Sequence, residues 1–112
     1  MGHELKRVAS TRRYVRVRGP FDGFDLGPPQ ALVVVYDLNV GGGFVNFAGQ
    51  QPHTATFVLT INLPQEGAIT VHAETVYRQA SGVAVRFVDV DADTTARLTR
   101  TVVALHQPQV GN

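Results

Sequence analysis

Cysteine is absent from this chain of 112 residues. Its absence excludes disulfides, cysteine-rich zinc sites and thiol nucleophiles, and fits a reducing, cytoplasmic setting. Long apolar runs are missing as well. The longest, Ala31 to Tyr36, has six residues, too few for a membrane span or a signal-peptide core, so no membrane insertion is expected. Serine is scarce: only Ser10 and Ser81 occur, and neither lies in a G-x-S-x-G elbow. His3, His53, His72 and His106 are scattered, with no i,i+4 pair or metal-ligand spacing. The triplet Gly41-Gly42-Gly43 is followed by Phe44 rather than Lys-Ser/Thr, and it precedes a strand where a dinucleotide fingerprint would precede a helix. No enzyme chemistry, metal or resident cofactor is therefore expected.

What is present is an uneven distribution of charge. The formal net charge of +1 divides into +5 over residues 1–18, from Lys6, Arg7, Arg12, Arg13, Arg16 and Arg18 against Glu4, and −4 over the remainder. A basic arm thus precedes a mildly acidic body. Such an arm attracts phosphate, nucleic acid or an acidic partner surface, or lies on the acidic body of its own domain. The length suits one domain that buries about two thirds of its unfolded surface in a single core.

Residues 4–12 show no period and read as a flexible arm. Tyr14 to Arg18 alternates, with Val15 and Val17 on the buried face and Arg16 and Arg18 facing out, which predicts a first strand. Phe21 to Gln30, with Gly23, Gly27, Pro28 and Pro29, reads as a connection packed down by Phe21, Phe24 and Leu26. Further strands are predicted over Ala31–Leu38, Phe44–Ala48, Thr54–Leu63, Ala68–Arg78 and from Val83 to Phe87. Of these, Thr54–Leu63 alternates most cleanly, and a bulge is expected near Glu74–Tyr77. After Val90 the period changes. Asp91 and Asp93 are both candidate N-cap residues, and Leu98, Val102 and Leu105 make the apolar stripe of one helix that ends near Pro108. The fold class is mainly β: a six-stranded antiparallel barrel or strongly curved sheet, with one C-terminal helix covering it. Within a single domain, residues 1–13 are the arm, 14–90 the barrel and 91–107 the helix.

The chain is organised around Asp37-Leu38-Asn39-Val40-Gly41-Gly42-Gly43, read with the arginines before it. The glycines mark either a tight hairpin or a ligand seat, and the acid and amide at their mouth favour the seat. An arginine fork grips phosphate, pairs with guanine O6 and N7 or stacks on a purine. A carboxylate accepts from the guanine's N1–H and N2–H₂ donors. Arg12, Arg16 and Asp37 therefore form a set able to read guanine and phosphate, provided that the arm folds back to the turn.

Arg12-x-x-x-Arg16 followed by Asp37-x-Asn39-x-x-Gly42 resembles the paired R-x-x-x-R and D/N-x-S-x-x-G motifs of PilZ domains, which bind the bacterial second messenger cyclic di-GMP. Gly82-Val83-Ala84-Val85-Arg86-Phe87 before an amphipathic helix is similar to the end of the same family. The resemblance runs from about Arg12 to Leu105. It implies a PilZ-like barrel in which Arg12 and Arg16 hold phosphates and guanine faces, Arg13 either adds a contact or merely solvates the arm, Asp37 accepts from a guanine edge, and Gly42 keeps the backbone open for ligand. Asn39 departs from the pattern, standing where the motif has serine. With no output domain in the chain, the resemblance implies a receptor acting in trans on an effector protein of motility, adhesion or exopolysaccharide machinery. The alternative is a degenerate PilZ module that binds no nucleotide and serves as a protein-interaction adaptor. Nucleic acid is not an expected partner, because the body is acidic and most phenylalanines occupy core or loop positions.

Overall fold

The computed structural model describes residues 15–52 and 54–106, so the arm, Arg12, Arg13, His53 and Pro108 lie outside the described residues. Six strands, β1 (Phe21–Asp25), β2 (Ala31–Asn39), β3 (Gly42–Phe47), β4 (Thr56–Leu63), β5 (Gly67–Gln79) and β6 (Gly82–Val88), precede the helix α1 (Ala92–Leu105). They close into an antiparallel barrel in the order β1-β2-β3-β6-β5-β4. Alternation fills its interior. Phe57, Leu59, Ile61 and Leu63 of β4 point inward, as do Ile69, Val71 and Ala73 of β5 and Val83, Val85 and Phe87 of β6. A barrel of this size is plugged by its own side chains, so ligands must be held on its outside or at its ends.

The first strand differs from the sequence expectation. Tyr14–Arg18 was expected to pair as a strand, but its described part contributes a single bridge, Val17 to Leu38, with both backbone hydrogen bonds at 2.8 Å. Val17 is buried and Val15 is exposed. The barrel strand is instead Phe21–Asp25, expected as a connection, whose inward residues are Phe21, Gly23 and Asp25. Glycine and aspartate are poor strand formers, and ladders on both sides, to β2 and to β4, override that preference. Asp25 closes the strand by accepting a hydrogen bond from Gly27 N at 2.9 Å. Of the residues expected to pack this segment down, Phe21 does so, whereas Phe24 and Leu26 are exposed.

Asp91 caps α1, its Oδ1 accepting from Thr94 N at 2.7 Å. Leu98 and Val102 are buried as expected, with Thr101 beside them, but Leu105 is 48% exposed, so the buried stripe ends one turn early. Arg100 clamps the helix to the β4–β5 turn through two bonds to Glu66, at 2.9 and 3.0 Å, and Arg97 donates to Ala68 O at 3.1 Å. No helix among the described residues is long and apolar enough to cross a membrane.

The hydrogen bond from Arg100 holds the Glu66 carboxyl below its ordinary pKa, and Thr94 N does the same for Asp91. A carboxyl lowered in the folded state adds stability above its unfolded pKa and loses it as pH falls through the folded one. Thermal unfolding followed against pH should therefore show the melting temperature falling through and below the ordinary carboxylate range, with a shallower fall in Glu66→Gln. Equal pH profiles in the two proteins would remove Glu66 as a cause.

Candidate ligand-binding site

The β2–β3 hairpin builds the site. Its turn, Val40-Gly41, is fixed by Asn39, whose Oδ1 accepts from Gly41 N at 2.7 Å. The serine position of the motif is thus occupied by a residue that folds the turn. Upstream, Tyr36 pairs with Phe44 and Asn39 with Gly42, so β2 carries one residue more than β3 over this span. This bulge resets the alternation: Val35 points in, Tyr36 and Asp37 both lie outside, and Leu38 returns to the core. Asp37 takes a left-handed φ of 51°, a conformation that aspartate tolerates better than most residues.

A second bulge lies three strands away. On β5, Thr75 pairs with Val85 and Tyr77 with Ala84, leaving Val76 extra. It falls where the sequence placed a bulge, and it leaves the Thr75 hydroxyl buried without a partner. The two bulges flank the β3–β6 pair and push Asp37 on one side, and Val76 and Tyr77 on the other, toward solvent. Between them lies a concavity of about 230 Å³ lined by Arg16, Asp37, Asn39, Gly43, Phe44, Val76, Tyr77, Ala84 and Val85. An adjoining hollow of about 310 Å³ shares Asp37 and Phe44 and adds Arg18, Gly19 and Tyr36.

Arg16 and Asp37 of the sequence-read set, and Asn39 of the motif, line one concavity. Arg12 and Arg13 lie outside the described residues. Gly42 is buried, and a Cβ there would be driven into the Val85 carbonyl, so close approach of β3 to β6 requires a glycine at this position. Gly43 is the glycine that lines the concavity. The aromatic members, Tyr36, Phe44 and Tyr77, escaped the sequence reading. Tyr36, Phe44, Ala84 and Tyr77 are successive register partners across β2, β3, β6 and β5, forming one lateral row on the outside of the barrel. Their signal, aromatic residues at outward strand positions, acquires meaning only once the strand order is known.

Chemically, the site offers a guanidinium for a phosphate, a carboxylate for guanine donors and flat rings for a base to stack on. A larger cavity, about 540 Å³, lies at the other end of the hairpin among Pro28, Pro29, Leu32, Ala48 and Pro52, and it contains none of the motif residues. Phosphate and guanine chemistry favours the smaller one.

No family model matches the chain, and no curated protein matches it. Solved structures do. The PilZ domain of YcgR from Escherichia coli, solved with cyclic di-GMP, aligns with a TM-score of 0.68 at 18% identity over 85% of this chain and 91% of that one. The Bacillus subtilis inhibitor of motility, MotI/DgrA, aligns at 0.69 and 20% identity over 87% of this chain and 52% of that one. YcgR from E. coli in complex with cyclic di-GMP gives 0.65 and 23% over 85% of this chain and 46% of that one, so this chain spans about half of the two longer proteins. Identities this low speak to architecture, and together with the closed six-stranded barrel and its C-terminal helix they give this chain the fold of a PilZ domain.

Proposed function

We propose that this chain is a non-catalytic cytoplasmic receptor for cyclic di-GMP. Arg12, Arg13 and Arg16 take its phosphates and guanine faces, Asp37 accepts from a guanine edge, and Asn39 and Gly42 hold the hairpin that presents them. The observation that carries this reading is that Arg16, Asp37 and Asn39, distant in sequence, line one outward concavity at the bulged end of β2 and β3 on a PilZ fold. It is supported by the YcgR domain of like fold, which was solved with cyclic di-GMP. Output passes in trans to an effector protein. The similarity to an inhibitor of motility makes motility machinery the first place to seek it, ahead of exopolysaccharide synthesis.

One observation favours a second reading, a nucleotide-free adaptor: the Asn39 side-chain oxygen accepts from Gly41 N, so the side chain is held to the turn and is less free to turn toward a ligand. Losing one neutral hydrogen bond costs about 0.5–1.5 kcal/mol, less than the roughly 1.5–3 kcal/mol of a charge-assisted arginine contact, so the arginines dominate. Calorimetric titration with cyclic di-GMP decides between the two. Saturable binding is expected, with the stoichiometry read directly. No heat of binding from correctly folded protein, at ligand well above micromolar, would leave the adaptor.

A further inference from the structure

Beside the motif residues runs a second lateral row on the outside of the barrel. Asn39 of β2 pairs with Gly42 of β3, Gly42 with Arg86 of β6, and Arg86 with Glu74 of β5. Arg86 directly follows Val85, which lines the concavity, and its side chain is 65% exposed. In this structure its guanidinium is turned away from the hairpin, toward Glu74: Nε donates to Oε1 at 3.0 Å, and Nη2 meets the same oxygen. On the other side stands Gly42, with no side chain. Nothing projects from β3 between Arg86 and Asn39, about 10 Å apart at the ordinary spacing of two strand intervals.

We propose that Arg86 is a further ligand-binding residue and that Glu74 is its resident counter-ion, which a phosphate of the bound nucleotide displaces. This inference rests on the proposed cyclic di-GMP site. An exposed ion pair is weak, so exchanging a carboxylate for a phosphate that offers the fork two oxygens is a small rearrangement. Because Gly42 carries no side chain, no β3 side chain stands in the way as the guanidinium swings from Glu74 toward the hairpin. In the unliganded protein Glu74 also lowers the positive charge at the rim, which sets the affinity below what the arginines alone would give.

The test is a double-mutant cycle read by calorimetric titration with cyclic di-GMP: wild type, Glu74→Gln, Arg86→Gln and the double variant, with thermal unfolding recorded for each. Arg86→Gln is expected to weaken binding roughly three- to tenfold. Glu74→Gln is expected to tighten it roughly two- to fivefold. In the Arg86→Gln background, Glu74→Gln should then have no effect, because the carboxylate has no arginine left to compete for. Equal affinity of wild type and Arg86→Gln overturns the proposal while leaving the receptor reading intact. Tightening by Glu74→Gln that persists without Arg86 also overturns it, since the carboxylate would then act by plain repulsion of the ligand. Absence of any wild-type binding removes the receptor reading and this inference with it.

Discussion

Arg16→Ala is expected to lower the affinity for cyclic di-GMP by roughly ten- to a hundredfold, the cost of about 1.5–3 kcal/mol for one charge-assisted contact. Arg16 is an exposed residue placed by a buried neighbour. Val17 is 6% exposed and exchanges both backbone hydrogen bonds with Leu38. That bridge holds Arg16 at the mouth of the concavity, beside Asp37 and Asn39. Alanine leaves the bridge in place and removes only the outward side chain, so folding stability should stay within about 0.5 kcal/mol of wild type. The two quantities are read on the same sample, by titration and by thermal unfolding. Unchanged affinity would exclude Arg16 as a phosphate ligand, whereas a parallel loss of stability would show that it acts on the bridge instead.

Gly42→Ala is expected to act in the opposite way, on the fold first. Its Cβ would enter the Val85 carbonyl and come within 3.1 Å of the Arg86 Cα, both backbone atoms of the adjacent strand, which cannot rotate out of the way. The β3–β6 ladder must part or bend to accept it. Such overpacking costs about 1–3 kcal/mol, and for a domain near this size each kcal/mol moves the melting temperature by roughly 4–8 °C. Gly43→Ala is the contrasting variant. There the nearest atom is the Val35 Cγ1 methyl at 3.2 Å, a side-chain atom with some freedom to yield, and a smaller shift should follow. If Gly42→Ala melts with the wild type, the close-approach account of Gly42 is wrong, and the glycine stands free for a ligand role alone.

The strands that were legible in the sequence are those whose inward positions carry aliphatic and aromatic side chains. Phe57, Leu59, Ile61 and Leu63 in β4, and Val83, Val85 and Phe87 in β6, announce their inward face by alternation alone. Phe21-Asp22-Gly23-Phe24-Asp25 announces nothing, because its inward residues are one aromatic, one glycine and one acid, and its strand character comes from its two neighbours. The β2 bulge was hidden differently. Val33, Val35 and Leu38 are all buried, and the odd spacing between the last two marks the extra residue, but the apolar run around them masks that step. Within the site, Arg16, Asp37 and Asn39 could be grouped from a motif. Tyr36, Phe44 and Tyr77 could not, because their alignment depends on β6 inserting between β3 and β5, a fact of barrel closure.

Closure of the barrel also restricts how another chain can dock on this one. Among the described residues every strand has a partner on each side, so none is an edge strand over its whole length. Addition of a partner's strand to a free sheet edge, a common route for open β domains, therefore has no full-length edge to use here. For the proposed function, the surfaces left for recognition are the side chains on the barrel's exterior and the loops at its two ends. A change confined to those surfaces leaves the ladder intact, so the proposed receptor would need no partial unfolding to change what its exterior presents.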